Sequence, residues 1–231
     1  METSIMSQAQ VVVDTDAAAE ITMVSKAAAA TNALHAGSRA PTFALHDTLG
    51  RRVALDQLLR AGPVVLYFQR GSWCAFGEEN LVRFSAVHER IAAAGATALA
   101  VAPPGGSDDR ADRLPIPKLV DTDLCLARAF GLTFDLPEEL RSRYIDLGYV
   151  PPRIRKSGVF LVPVPATYIL DEDGVVVFAH VDFDYRNGLD SESLLKGLDA
   201  LRVRREVRDR DRPRGGLRAL TVVTKANDFE H

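Results

Sequence analysis

Cys74 and Arg70, four residues apart, are the pair in this chain whose types and spacing can do chemistry. They lie in the stretch Gln69-Arg70-Gly71-Ser72-Trp73-Cys74-Ala75-Phe76-Gly77, which follows the apolar run Val64-Val65-Leu66-Tyr67-Phe68 and precedes a helical pattern. A β-rich run, a glycine turn and an amphipathic segment read as strand, loop and helix, with Cys74 where the helix begins. The first backbone N–H groups of a helix have no intrahelical partner, and the helix dipole adds partial positive charge there, so a thiolate is stabilised over the thiol. Arg70 adds a full positive charge. A lone cysteine is more often a small buried hydrophobe, and Trp73 can equally be core filler. The combination of buried strand, Arg-Gly turn, cysteine and helix start is what points to a reactive thiol.

The rest of the chain supplies the frame that holds this pair. At 231 residues it is long enough for one domain with a substantial core. A net charge of −3 with 47% hydrophobic and 26% charged residues gives no electrostatic reason to expect nucleic acid or an anionic membrane as partner. No apolar run reaches the roughly 20 residues that span a bilayer. The acidic N-terminus lacks the features of a signal peptide, and two cysteines suit a reducing, cytoplasmic setting. His35, His46, His88, His180 and His231 are scattered without ligand spacing, so no metal site is expected.

Taken in order, residues 1–36 are a tail or one helix over Ala17 to Leu34, and the fold begins near Gly37. Thr42 to Leu45 and Arg52 to Leu55 flank Thr48-Leu49-Gly50 as a hairpin. After Cys74 a helix runs to about Ala94 with Leu81, Phe84, Val87, His88 and Ile91 on its buried stripe. Strands at Thr97 to Val101 and Leu119 to Asp121 alternate with helices, which implies right-handed crossovers and a largely parallel centre. The breaker-rich Ala102-Pro103-Pro104-Gly105-Gly106 loop lies between them. Cys125 falls in a separate helix from Leu124 to Phe130, where a structural role is expected. Phe134 to Tyr149 is an insertion with a helix around Pro137 to Leu147. Val162 to Phe178 is an antiparallel hairpin turned at Asp171 to Gly174. Ser191 to Leu201 forms the last helix, and residues 204–231 a charged, disordered tail.

Three of these stretches resemble one family. Gly62 to Cys74 is similar to the strand-loop-helix of peroxiredoxin-like proteins of the alkyl hydroperoxide reductase/thiol-specific antioxidant (AhpC/TSA) family, and Ala40-Pro41-Thr42-Phe43-Ala44-Leu45 resembles the family's opening segment. Pro165-Ala166-Thr167 to Val175 resembles its P-A-T-F-x-I-D-x-D-G-x-I segment, and Asp182, Asp184 and Tyr185 its D-x-D-Y segment, although a solvated turn is the simpler reading there. The resemblance implies an α/β thioredoxin-like fold over residues 37–203. It has a central mixed β-sheet flanked by helices, an N-terminal hairpin and a helical insertion before the final β-hairpin. It also implies a cis Pro165 facing Cys74. The branch the chain most resembles reads R-G-x-W-C-P-Y-C; here Ala75, Phe76 and Gly77 stand at the last three positions, which removes the partner thiol, and Gly77 with Ala75 is expected to open space beside Cys74.

The chemistry implied is peroxide reduction. Cys74 is the nucleophile, and Arg70 with the backbone N–H groups of Ser72 to Cys74 stabilises charge on the leaving oxygen. Gly71, Ser72, Trp73, Phe76, Pro165 and Thr167 are the expected substrate-contacting positions. The expected partners are a peroxide or small organic substrate, an external thiol reductant and a second copy of the chain; no cofactor is implied. Three classes remain open: a one-cysteine thiol peroxidase, a repurposed enzyme acting on an organic substrate, and a non-catalytic binding or assembly protein.

Overall fold

The computed structural model describes residues 21–23, 25–26, 32–105, 114–153, 158–184, 186–187 and 190–211. The first twenty residues, Gly106, Tyr185 and residues 212–231, including most of the expected tail, lie outside the described residues.

The organising strand is β3 (Val64–Phe68), every residue of which is buried. It carries apolar side chains on both faces, the pattern of a strand covered above and below. On one side it pairs in parallel with β4 (Thr97–Ala102), which pairs in parallel with β5 (Lys118–Val120). On the other it pairs antiparallel with β8 (Ala166–Leu170), which pairs antiparallel with β9 (Val176–Val181). The central sheet is therefore mixed, in the order β5-β4-β3-β8-β9. The expected hairpin forms as β1 (Ala44–His46) and β2 (Arg52–Ala54), followed by α1 (Leu55–Ala61).

Residue parity along β3 divides the core. Val64, Leu66 and Phe68 face one layer with Leu99, Phe130 and Tyr168, while Val65 and Tyr67 face the helices α2 (Ala75–Ala86), α3 (His88–Ala93) and α6 (Ser191–Asp211). Leu81, Phe84, Val87 and Ile91 are buried as the spacing predicts, whereas His88, expected on the same stripe, is only half-buried because the helix is interrupted at Val87. The strands β6 (Thr133–Asp135) and β7 (Leu161–Pro163) form a separate antiparallel pair, and α5 (Glu138–Asp146) rises from it as the insertion. Cys125 opens the short helix α4 (Cys125–Ala129).

The last helix continues past Leu201 to Asp211. Arg205 and Arg208 reach back to Glu172, with Arg205 Nε 2.5 Å from its carboxylate, so side chains on this extension are tied to the β8-β9 turn. Of the N-terminal segment, Ile21–Met23 and Ser25–Lys26 are helical, and Ile21 is buried in the cluster that holds Cys74.

Candidate active site

β3 delivers the chain to the site. Gln69 N–H still bonds to Val101 O at 2.9 Å, and then the backbone turns through Gly71, whose φ of +116° favours glycine. A Cβ on Gly71 would also lie 3.0 Å from both Pro103 and the Trp73 ring, so the turn has no room for a side chain. Cys74 follows as the residue that caps α2, in extended conformation and only 6% exposed.

The turn is closed by its own hydrogen bonds. Cys74 N–H donates to Gly71 O at 3.2 Å and Trp73 Nε1 donates to Arg70 O at 2.7 Å. The Cys74 N–H, one of the expected substrate donors, is thus engaged inside the turn. Gly77 N–H donates to Cys74 O at 2.8 Å, which starts the helix.

Gly77 does not open space beside the thiol, contrary to expectation. A Cβ there would sit 2.7 Å from Gly71 O and 3.7 Å from Cys74 Cβ. The loop backbone has moved against the helix where a second side chain would stand, so the missing cysteine is replaced by a backbone contact rather than by a vacancy.

Arg70 points inward. It is 2% exposed, its Nη2 donates to Tyr144 Oη at 2.7 Å, and its guanidinium lies 4.6 Å from the Trp73 ring centre and 5.3 Å from that of Tyr144. Trp73 packs in turn, with tilted rings, against Tyr144 at 5.0 Å and Tyr149 at 4.9 Å. An arginine desolvated between aromatic faces keeps its charge and gains cation–π attraction. Burial pushes the Tyr149 hydroxyl above its ordinary range, and the Arg70 charge works against that rise. Cys74 shares its cluster with Tyr144, Tyr149, Phe134 and Val162, so the insertion roofs the thiol.

The remaining expected positions divide. Gly71, Ser72 and Trp73 line a cleft of ≈ 390 Å³ closed by Pro103, Pro104 and Leu147. Ser72 Oγ donates to Gly105 O at 3.1 Å and so ties the two loops together. Phe76 is 38% exposed on the helix surface. Thr167 is buried, paired across the sheet with Tyr67 and His180. Pro165 precedes β8 with a trans peptide bond, not the cis bond carried over from the family: no cis bond occurs among the described residues. Trans is the lower-energy isomer of an X-Pro bond, and Pro165 O accepts the Asp182 N–H at 3.0 Å, which continues the β8-β9 ladder in this geometry. Both cysteines are free, Cys74 buried and Cys125 exposed.

Sequence reasoning missed Tyr144 and Tyr149, which hold Arg70 and Trp73 from more than seventy positions along the chain. The signal available was the i, i+4 pair Leu140 and Tyr144 on a helix otherwise dominated by charged residues.

The AhpC/TSA family model matches residues 36–179, more than half of the chain. The chain belongs to the AhpC/TSA family and is a peroxiredoxin-like oxidoreductase with a thioredoxin fold. Among solved structures it is similar to the peroxidoxin BcpB of Mycobacterium tuberculosis, at TM-score 0.53 and 21% identity, covering 73% of this chain and 98% of that one. Peroxiredoxin Q of Xanthomonas campestris gives TM-score 0.52 and 19% identity over 72% and 99% of the two chains. The yeast mitochondrial 1-Cys peroxiredoxin gives TM-score 0.52 and 12% identity over 75% and 78%. No curated protein matches the chain in sequence. No helix among the described residues is long and apolar enough to cross a membrane.

Proposed function

We propose that the protein is a one-cysteine thiol peroxidase in which Cys74 reduces hydrogen peroxide or an organic hydroperoxide and an external thiol restores it. The observation that carries the reading is the placement of buried Cys74 at the start of α2, in the aromatic cluster that also encloses the Arg70 guanidinium. The Cys74 sulfur attacks the terminal peroxide oxygen; the S–O bond forms as the O–O bond breaks, leaving a sulfenic acid and an alkoxide that takes up a proton. A positive charge held in a site of low dielectric lowers the cost of charge developing on the leaving oxygen. Two equivalents of thiol then return the sulfenic acid to Cys74 with loss of water. The contact of Gly77 with Gly71 O supports an external rather than a neighbouring resolving thiol.

The functional unit in this reading is residues 37–203, acting as a homodimer in a reducing compartment such as the cytoplasm, where two free cysteines persist. Stopped-flow reaction of the reduced protein with hydrogen peroxide and with cumene hydroperoxide, followed by mass spectrometry of Cys74, tests it. Oxidation far faster than that of a free thiol, and lost in Cys74→Ser, is the expected result; a rate no faster than a free thiol overturns it.

The cleft beside Trp73 favours one second reading, turnover of a larger organic substrate. Slow reaction with hydrogen peroxide and rapid reaction with a bulky hydroperoxide would select it.

A further inference from the structure

The cluster that buries Cys74 has one member from the N-terminal segment. Phe134 and Val162 are paired across β6 and β7, and Tyr144 is fixed by Arg70 and Trp73. Tyr149 donates its N–H to Tyr144 O at 2.9 Å and packs on Trp73. Ile21 joins them in the cluster and is 8% exposed, although it comes from well ahead of Gly37. The cleft beside Trp73 is lined by Gly71, Ser72 and Trp73 and not by Cys74, so the cover that a reagent must displace to reach the thiol is the cluster.

Ile21–Met23 and Ser25–Lys26 turn one side to the protein: Ile21 is buried, Met23 and Ser25 are half-buried, and Thr22 and Lys26 are exposed. Ile21 and Ser25 are four apart, the spacing that puts two side chains on one helix face. Ser25 Oγ donates to the Phe183 carbonyl at 3.3 Å, and Phe183 packs against the Cys74 cluster, so both residues grip the same region. Further along, the chain is sewn to the layer beneath the sheet. Leu34 N–H donates to Phe130 O at 3.0 Å, Tyr168 Oη donates to Leu34 O at 3.2 Å, and Asn32 O stands where a Cβ on Gly131 would be. The anchor at Asn32 and Leu34 is thus built on backbone groups, while Ile21 and Ser25 grip through side chains. A stretch seated by so few buried side chains opens at a fraction of the global unfolding free energy.

We propose that Ile21 is a specificity-determining residue of the Cys74 pocket: seated, it admits hydrogen peroxide and excludes hydroperoxides that carry a bulky organic group. This rests on the thiol peroxidase reading above and names the oxidant class for it. Protein interiors are close-packed, so space for an aryl or long-chain group beside the sulfur exists only where a side chain of the cover withdraws. Phe134, Val162, Tyr144 and Tyr149 cannot withdraw without breaking strand pairing or the Arg70 box. Ile21 can, because the chain behind it stays anchored at Leu34 when the stretch swings out. Hydrogen peroxide, little larger than water, needs no such opening. Bulky hydroperoxides therefore react only in the fraction of molecules with Ile21 out, whereas hydrogen peroxide reacts in both states.

The test compares oxidation of Cys74 by hydrogen peroxide and by cumene hydroperoxide in the full chain, read by stopped flow at one pH. Wild type is expected to favour hydrogen peroxide. Ile21→Ala is expected to speed the cumene hydroperoxide reaction about tenfold, the gain in open fraction when most of one buried isoleucine side chain is lost, and to leave the hydrogen peroxide rate unchanged. Ile21→Leu refills the place and is expected to keep the wild-type ratio. Ser25→Ala is expected to shift the ratio the same way by less, and Lys26→Ala, exposed on the same stretch, not at all. A merely structural role would slow both oxidants together. An unchanged ratio in Ile21→Ala, two rates that rise or fall together, or a wild type that prefers cumene hydroperoxide would overturn the proposal. A second readout does not need the peroxidase reaction. In a Cys125→Ser background, which leaves Cys74 as the one thiol, alkylation by iodoacetamide and by N-phenylmaleimide is measured, each rate divided by that of free glutathione. Ile21→Ala is expected to raise the maleimide value alone, and an unmoved value sinks the proposal. Wild-type protein inert to both hydroperoxides would overturn the peroxidase reading instead, and the alkylation pair would still decide whether Ile21 guards Cys74.

Discussion

The chain places a cysteine at the start of a helix twice, and the two places are built in opposite ways. Cys74 caps the twelve-residue α2 with no side-chain cap hydrogen bond at its N-terminus, and it is buried. Cys125 is the first residue of the five-residue α4 and is exposed. Ahead of Cys125, Asp121 spends its carboxylate on the helix start: Oδ1 accepts Leu126 N–H and Oδ2 accepts Ala127 N–H, each at 2.8 Å. The residues between them, Asp123 and Leu124, are held at φ of +55° and +53°, left-handed values that cost a non-glycine residue energy. A fixed negative charge therefore occupies the dipole end beside Cys125, whereas a buried guanidinium shares the cluster of Cys74. A helix start does not by itself activate a thiol; what else has been brought to its amides decides.

The sharpest way to break this comparison is to remove each sulfur in turn. Cys74→Ser should abolish oxidation by hydroperoxide, and Cys125→Ser should leave its rate within about twofold, as read by stopped flow. An intramolecular disulfide found by mass spectrometry after peroxide treatment of the wild type, and absent in Cys125→Ser, would merge the two regions into one redox pair and overturn the one-cysteine reading.

Restoring a side chain at Gly77 tests whether the backbone contact sets the first turn of α2. Gly77→Ala must displace Gly71 O, and an overpacked site of this kind loses about 1–3 kcal/mol. Chemical denaturation should show that loss together with slower oxidation of Cys74. Stability equal to wild type would mean that the loop yields freely.

Tyr144→Phe removes the hydroxyl that accepts from Arg70 while keeping the ring. A hydrogen bond to a charged group is worth about 1.5–3 kcal/mol, so a clear drop in melting temperature and a several-fold slower hydroperoxide reaction are expected. Unchanged oxidation would detach the aromatic box from the chemistry.

On the Cys125 side, Asp121→Ala removes the cap and should cost about 1–2 kcal/mol, while Cys125 becomes faster to alkylate as the helix amides are released. Slower alkylation would contradict the contrast drawn between the two helix starts. The smallest effect concerns pH. The Asp182 carboxyl is raised above its unfolded value, so its ionised form weighs against the fold; the penalty is present above the folded-state value and vanishes as pH falls through it. Asp182→Asn should therefore raise stability at pH 7 by about 1 kcal/mol or less, given its partial exposure, with the gain fading on acidification in paired thermal melts.

These tests also mark what local sequence carries and what it cannot. The buried run Val64 to Phe68, the glycine turn, the helix start at Cys74 and the turn at Asp171 to Gly174 were legible because each is written in contiguous residues with a characteristic period or turn chemistry. The roof over Cys74 was not, because Tyr144 and Tyr149 return from a distant insertion and nothing near Arg70 encodes their arrival. Gly77 was misread for the same reason: a glycine in place of a cysteine looks like empty space until the neighbouring carbonyl is placed 2.7 Å from where a Cβ would be. Asp182 read as a solvated turn because it opens the Asp-x-Asp run that leads into Arg186 and Asn187, while its partial burial comes from the strand register that sets it on the face with Tyr67. The end of α6 was placed early because little apolar sequence follows Leu201; ion pairs to Glu172 take over there.

The depth of Cys74 separates its two proposed reaction partners by size. Cys74 is only 6% exposed, and a disulfide needs Cα atoms within about 7 Å, so in the proposed cycle a sulfur carried on another protein meets a steric limit that a small peroxide does not. A mixed disulfide with a protein reductant must wait until the first turn of α2 lifts away from Gly71. In that proposed cycle, turnover with a protein thiol is limited by how often the turn frays, small thiols meet a lower barrier, and the oxidised form is the one expected to accumulate between cycles.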